Sequence, residues 1–386
     1  KSLNSLSSFE GLNNLSAIYG DLIIEAKSNA SPASSYIYNA LNSLSSFSGL
    51  NNLTHIYGDF RIHAEYTAEH SKYREIVLNS LVDFNGLESL NSIGGNFEIK
   101  SHAALNSLQS FKGLTNLKSI NGCFLLRAEA LTFQTSLKSL QSFEGLENLS
   151  TIGKDFHICG DVNFYLHEMK GDQSSKKSYV LESLTSFTGL AGLSTIGGNL
   201  IIESASNCSD NYAYTYAMSS LETIDGFSNL SNIGGDFIIR SVIEKYANSH
   251  TNTMRLTSID FNKLTTIGGN VDITGKSIDM TELYLRNLKS VGNAFQTNYL
   301  SYASFPMLES TGSDFSLSNI YEVEIMPKLK SVGGNITINR CLQLYDFCNL
   351  KDVLTDFSNT FTVTNCGYNP TKYQILNGQC SKSPDN

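Results

Sequence analysis

Three short stretches carry the residue types of known chemistries, and each lacks a part. His167-Glu168-Met169-Lys170-Gly171 opens like the H-E-x-x-H helix of zinc proteases, but Gly171 stands where the second histidine ligand belongs. Gly275-Lys276-Ser277 ends like a phosphate-binding loop, yet Asn270 occupies the position of that loop's first glycine. No G-x-S-x-G nucleophile elbow occurs. Acidic residues are plentiful, so a carboxylate pair could be assembled in space, as in β-helix enzymes that act on polysaccharides. That chemistry would need two carboxylates about 5–9 Å apart in a deep groove. Asp21, Asp59, Asp155, Asp236 and Asp314 share one recurring position, which raises calcium; asparagine takes the same position elsewhere, as at Asn96, Asn199, Asn270 and Asn335, which favours a turn role.

The seven cysteines are Cys123, Cys159, Cys208, Cys341, Cys348, Cys366 and Cys380, and four of them fall in the last 46 residues. Clustering near a terminus predicts one or two disulfides among Cys341, Cys348, Cys366 and Cys380, closing a cap. Cys123 lies in a strand-like segment and is expected to pack as a small hydrophobe. Neither a C-x-x-C pair nor closely spaced histidines occurs, so no metal site, no cofactor and no catalytic residue is expected.

The elements that position these residues follow from an internal repeat. Leu3-x-x-Leu6-x-x-Phe9-x-Gly11-Leu12-x-x-Leu15-x-x-Ile18-x-Gly20-Asp21-Leu22-x-Ile24 opens it, and Leu41 to Ile62 repeats it closely. Further copies begin at Leu78, Leu105, Leu137, Leu181 and Leu221, with looser ones from Leu256, Leu283, Ala303 and Val323. The Ile18 position recurs at Ile56, Ile93, Ile120, Ile152, Ile196, Ile233, Ile267, Val291, Thr311 and Val332, which makes eleven coils. A period of three fits neither an α-helix, which it would smear around every face, nor a strand, where it would alternate. Runs of 3₁₀-helix this long are uncommon. A chain turning corners around a narrow core does fit, with one large residue pointing inward per side, and leucine-rich repeats share this logic.

Each coil ends on period two, as in Leu22-x-Ile24, Phe97-x-Ile99 and Ile336-x-Ile338, which predicts short parallel strands. Gly-Gly-Asn or Gly-Gly-Asp stands before many of them, where glycine permits a tight corner and the side-chain oxygen can bond stacked backbone amides as a ladder. At about 4.8 Å per strand, eleven coils give a rod roughly 50 Å long. Residues 1–340 are expected to form this solenoid, and residues 341–386 a cysteine-containing C-terminal cap.

Coil length varies from 44 residues between Ile152 and Ile196 to 20 between Val291 and Thr311. The surplus falls at one point, just after the second strand, in insertions at roughly 25–40, 63–77, 127–136, 159–180, 203–220 and 240–255. Stacking in register makes them emerge along one side, which in solenoids often forms the binding face. Ten of the nineteen tyrosines lie there: Tyr36, Tyr38, Tyr66, Tyr73, Tyr165, Tyr179, Tyr212, Tyr214, Tyr216 and Tyr246. Tyrosine offers a large ring, a polar tip and little entropy to lose, so it suits contact surfaces. The same rings would equally anchor long loops onto the solenoid. Tyr212-x-Tyr214-x-Tyr216 would place three rings on one side if extended. Ligand-binding candidates are therefore Tyr212, Tyr214, Tyr216, Tyr66, Tyr73, Tyr165, Tyr179 and Tyr246.

Over residues 3–340 these repeats resemble the receptor L-domain family, whose coils read L-x-x-I-G-G-x-L-x-I. The resemblance implies a mainly β chain: a right-handed parallel β-helix related to leucine-rich repeats. It is nearest to surface leucine-rich-repeat proteins of Bacteroidales-type gut bacteria, whose tail is similar to Phe347-Cys348-x-Leu350 followed by Gly367-Tyr368-Asn369-Pro370-Thr371-x-x-x-Ile375-Leu376-Asn377-Gly378-x-Cys380. Fungal cell-wall proteins are a weaker match. The first coil lacks the family's cap, and Cys366 departs from its usual cysteine pair. The resemblance implies export, often as an outer-membrane lipoprotein.

Charged residues are 16% and the net charge is −9, which argues against a nucleic-acid partner, since phosphate binding needs clustered Lys and Arg. No apolar run approaches the roughly 18 residues of a membrane span. The chain opens at Lys1-Ser2-Leu3 already inside a repeat, so any export signal or lipid anchor is expected to lie outside it. Three functions stay open: a surface binding or adhesion protein recognising host protein or glycan, a structural envelope protein, and a polysaccharide-active enzyme. The register itself is testable, because burying one such side chain contributes about 1.5–3 kcal/mol. Leu149→Asp is expected to unfold the middle coils, and an unchanged melting curve would contradict the repeat.

Overall fold

Apolar residues three apart can share one interior only if the backbone turns between them, and it does. Leu137, Leu140, Phe143, Leu146, Leu149, Ile152, Phe156 and Ile158 of one rung are all fully buried. The amides of Leu140, Leu146 and Leu149 donate to the carbonyls of Leu137, Phe143 and Leu146, three residues back. These are isolated turn bonds rather than a helix. The fold is known from a computed structural model that describes residues 3–28, 39–66, 76–130, 134–164, 177–208, 214–245, 250–275, 281–324 and 326–383.

Strand accounts for 38% of the chain and helix for 4%, so the protein is mainly β, with the long parallel sheets of a solenoid-like stack. An eleven-stranded parallel sheet runs in chain order from Ala17–Ile18 to Ser331–Val332. It holds one two-residue strand at each position that the Ile18 repeat marks. A fifteen-stranded sheet carries the longer strands, among them Leu22–Ser28, Phe60–Tyr66, Phe97–His102, Phe124–Ala130, Phe156–Phe164, Leu200–Cys208 and Phe237–Lys245. Their register is direct: Phe60, Phe97, Phe124, Phe156, Leu200 and Phe237 are successive partners.

Stacking places identical residues above one another. Phe47, Phe84, Phe111, Phe143, Phe187 and Phe227 form a buried column with ring centroids 5.1–5.6 Å apart. Corner amides are satisfied in the same way. The amides of Asp59, Asn199, Asp236 and Asn335 donate at 2.6–2.7 Å to the side-chain oxygens of Asp21, Asp155, Asn199 and Asp314, one rung below. This is the expected ladder, and it gives the aspartates at this corner a turn role. Cys123 interrupts it. That residue stands at the corner ahead of the Phe124–Ala130 strand, half-buried, and its own amide donates to Asn96. It is therefore a ladder position with no oxygen to offer, not the strand residue expected.

Two further expectations change. The rung expected to start at Leu221 starts at Met218, whose amide donates to Val180 as that of Leu181 donates to Ser136. Methionine hides this start from a leucine pattern, although its side chain is buried like the leucines. The insertions also are not loops from their first residue. The Phe156–Phe164 and Leu200–Cys208 strands run deep into them and pair along their whole length. Their chains then return as the strands Lys177–Val180 and Tyr214–Ala217 of a four-stranded sheet, with Thr135–Ser136 and His250–Asn252 at its edges. Small inward residues make room for the return. Ala64, Ser101, Ala128, Gly160, Ser204 and Ser241 are successive partners. A Cβ at Gly160 would touch Met218 Cγ at 3.0 Å. Hydroxyl pairs zip the limbs together at 2.5 Å, Ser206 to Thr215 and Ser241 to Thr253. In the later rungs without insertions, outgoing and returning limbs fuse into single strands, Phe295–Ser304 and Phe315–Val323, kinked by left-handed Tyr299 and Asn319.

At the C-terminal end, Phe361–Thr364 adds one more strand beside Ile336–Asn339. Two short helices, Lys351–Thr355 and Lys372–Leu376, pack against each other. Of the four expected disulfide cysteines, Cys348 and Cys380 are bonded, whereas Cys341 and Cys366 are neighbouring thiols. No helix among the described residues is long and apolar enough to cross a membrane.

Glycine supports the stack most strictly two residues after Phe47, Phe84, Phe111, Phe143 and Phe187. Gly145 has φ +106°, and a Cβ there would run into the carbonyl of Phe111 one rung below. Gly378 has φ +82° but faces open space. Gly145→Ala should therefore cost more than the roughly 1–3 kcal/mol of backbone strain, and Gly378→Ala less. A urea titration compares them, and equal losses would contradict the close approach.

Candidate functional site

The outer face of the fifteen-stranded sheet is a field of paired charges. Alternation sends every second residue of each long strand outward, and register aligns them across rungs. Lys27 lies 2.8 Å from Glu25 and 3.7 Å from Glu65. Glu98 gathers Arg61 at 3.5 Å, His63 at 3.4 Å and Lys100. Burial pushes the Glu98 carboxyl up, but Lys100 and His63 outweigh it and leave it below the usual carboxylate range. Arg127 pairs with Glu129 and reaches Asp161 at 3.7 Å, and Arg240 pairs with Asp272.

One part of this face differs. His157, Cys159 and Asp161 project outward from one strand, and Glu203 lies directly opposite Cys159 on the next. His157 Nε2 is 2.8 Å from Glu203 Oε1, and the Cys159 thiol donates to Asp161 Oδ2 at 3.2 Å. The donor atoms of His157, Cys159 and Glu203 all lie within 4.8 Å of one another. The bond to His157 holds Glu203 below its usual range, whereas burial raises Asp161. Burial pushes the Cys159 thiol far up, and the Asp161 and Glu203 charges add to it. A thiol kept protonated, with its proton directed at a carboxylate, is the opposite of an activated nucleophile. This cluster was not read from the sequence. Its only local signal is His157-x-Cys159, two outward positions of one strand, and the third member stands 46 residues from His157.

The expected tyrosine sites divide. Tyr73, Tyr165, Tyr212 and Tyr246 lie outside the described residues, as do Tyr36, Tyr38 and His167. Tyr66 ends the Phe60–Tyr66 strand. Tyr179, Tyr214 and Tyr216 are brought together on the four-stranded sheet. Tyr179 and Tyr216 are register partners whose rings stack at 4.9 Å and 16°. In Tyr214–Ala217, Tyr214 and Tyr216 are half-exposed while Thr215 and Ala217 are buried, so both rings share the outward side. Lysines flank the stack: Lys138 Nζ lies 5.0 Å from the Tyr179 ring centroid and Lys177 Nζ 5.6 Å from that of Tyr214. A second exposed pair was missed. Tyr19 and Tyr57, 84% and 54% exposed, stack at 5.0 Å beside the eleven-stranded sheet. The signal was present in Ile18-Tyr19-Gly20-Asp21 and Ile56-Tyr57-Gly58-Asp59, where the rungs at Ile93, Ile196, Ile233 and Ile267 read Ile-Gly-Gly.

Comparisons with protein-family models, curated proteins and solved structures match nothing.

The state of Cys159 can be read directly. In the native protein at neutral pH, Cys159 is expected to resist iodoacetamide and to alkylate only after unfolding, as peptide mass spectrometry would show. Rapid native alkylation would mean an ionised, reactive thiol and would contradict the burial of Cys159.

Proposed function

We propose that this chain is a non-catalytic binding protein of the cell surface, which holds host protein or glycan on the tyrosine ledge of its insertion side. The observation that carries the reading is the stacked Tyr179–Tyr216 pair with Tyr214 beside it and Lys138 and Lys177 at its margins. Such rings present flat apolar area with hydroxyl tips, and the lysines add positive charge that favours acidic groups on the ligand. The rest of the architecture supports a scaffold role. Several outer-face carboxylates, among them Glu25, Glu65, Glu98 and Glu129, lie in ion pairs, and burial raises the Cys159 thiol.

The finer assignments belong to this proposal as well. They are eleven right-handed coils of the receptor L-domain and leucine-rich-repeat type, export to the surface, and anchoring as an outer-membrane lipoprotein like those of Bacteroidales-type bacteria. The support for them is the repeat and tail resemblance in the sequence together with the parallel stack.

A glycan and host-protein array tests the function. Tyr179→Ala combined with Tyr216→Ala is expected to weaken the selected ligand by at least about 30-fold, the loss of a contact hot spot of about 2 kcal/mol. Tyr19→Ala with Tyr57→Ala should leave it unchanged. An array with no ligand, or binding indifferent to Tyr179 and Tyr216, would favour a structural envelope protein or another face.

A further inference from the structure

One outer column of the fifteen-stranded sheet reads Glu25, His63, Lys100, Arg127, Cys159, Glu203, Arg240, each the register partner of the next. Six of these side chains are charged or imidazole, and one is a thiol. A cysteine that serves as apolar filler belongs in the core, and the core positions beside it are already held by Ile158 and Gly160. Cys159 instead points outward and yet is only 4% exposed. It lies between Arg127 and Glu203 of the flanking strands and His157 and Asp161 of its own.

We propose that His157, Cys159 and Glu203 form a three-donor binding site for one divalent transition-metal ion of the zinc class, with a solvent oxygen as the fourth ligand. One imidazole, one sulfur and one carboxylate oxygen suit a borderline-soft ion. They do not suit calcium or magnesium, which take oxygen shells. The donors come from two hydrogen-bonded strands about 4.8 Å apart, so their backbones are fixed before any ion arrives. Tetrahedral zinc with bonds of 2.0–2.3 Å holds its donors about 3.3–3.6 Å apart. His157, Cys159 and Glu203 place theirs within 4.8 Å, and Asp161 Oδ2 lies 3.2 Å from Cys159 Sγ. Closing the His157, Cys159 and Glu203 donors onto an ion takes side-chain movement of about 1 Å, from 4.8 Å at most to about 3.6 Å.

Charge and protons balance. The ion enters as a dication, and the thiol proton leaves Cys159 through Asp161, which already accepts its hydrogen bond. The thiolate and the Glu203 carboxylate then face the dication, while Asp161 stays paired with Arg127, whose guanidinium lies 3.7 Å away. The half-exposed His157 and Glu203 give the ion access from solvent. The site joins the Phe156–Phe164 and Leu200–Cys208 strands, whose insertions return as Lys177–Val180 and Tyr214–Ala217. A bound ion would therefore staple the roots of the two insertions that carry Tyr179 and Tyr216.

Cobalt(II) is the probe, because a thiolate ligand gives it a near-ultraviolet charge-transfer band and four-coordination gives it strong visible bands. The purified chain, stripped with chelator, is titrated with cobalt(II) and then with zinc(II) by calorimetry. Expected are one ion per chain, the thiolate band, and its displacement by zinc. Cys159→Ser should abolish the band. It should weaken zinc by more than the roughly 10–100-fold that loss of an outer-shell partner costs. Cys341→Ser with Cys366→Ser should keep both signals, which separates this site from the thiol pair near the C terminus. If Cys159→Ser misfolds by circular dichroism, His157→Gln and Glu203→Gln serve instead, with loss of the zinc-induced rise in melting temperature as the readout. Absence of the thiolate band, or a band that survives Cys159→Ser, overturns the proposal.

Discussion

Every rung of this protein must lie one strand spacing from the next, and the remaining structure answers to that distance. A single rung cannot hide its own leucines; the neighbours above and below do so, and stability becomes a sum over adjacent pairs. The same closeness forbids a Cβ wherever two backbones meet, as at Gly145 against Phe111. It also turns a lone polar residue into a ladder. The Asp155 oxygen serves the Asn199 amide, and the Asn199 oxygen serves the Asp236 amide. Leucines at the first corner carry a cost for this geometry. Leu41, Leu78, Leu105, Leu137 and Leu181 all have positive φ near 50°, which L-residues enter only at the expense of strain. All five are buried, so packing holds them there.

Because the interior is committed rung by rung, chemistry is confined to the outside. Two routes exist. Outward positions of the long strands can differ from rung to rung without disturbing the stack, and this column variation sets arginine, cysteine and glutamate side by side. Insertions can also leave at the one corner where outgoing and returning limbs part. The fused strands of the later rungs show how little that corner needs: a single left-handed residue, Tyr299 or Asn319, suffices. Where the chain instead runs outward, small residues such as Gly160 and Ser204 let the returning limb pack flat, and a new sheet surface is made.

The repeat was legible because its signal is physical and local: the three-residue beat, the glycine pairs and the corner Asn/Asp each report one turn of the chain. The Met218 start was hidden because methionine fills a leucine's place in volume but not in a letter pattern. Strand continuation into the insertions was hidden because its inward residues are alanine, serine and glycine, which carry no hydrophobic alternation. Tyr214 and Tyr216 were legible as a pair, since two-residue spacing fixes a shared side on any strand. Their stacking with Tyr179 was not, because that register depends on how far each insertion reaches before it returns. The His157, Cys159 and Glu203 cluster was illegible for the same reason: its third member is set by cross-rung register.

The cluster and the ledge are joined by that register. Cys159 opposite Glu203 and Tyr179 opposite Tyr216 are the same two rungs read on outgoing and returning limbs. The limbs also touch, through Gly160 against Met218 and Val180 and through the Ser206–Thr215 hydroxyl pair. A shift in spacing or slant between the two outgoing strands therefore passes to the returning strands through packed contacts rather than through a flexible connection. Nearest-neighbour mechanics confines such a shift to adjacent rungs. His157 and Glu203 thus stand at the roots of the limbs that carry Tyr179 and Tyr216, whereas intervening rungs separate them from the Tyr19–Tyr57 pair.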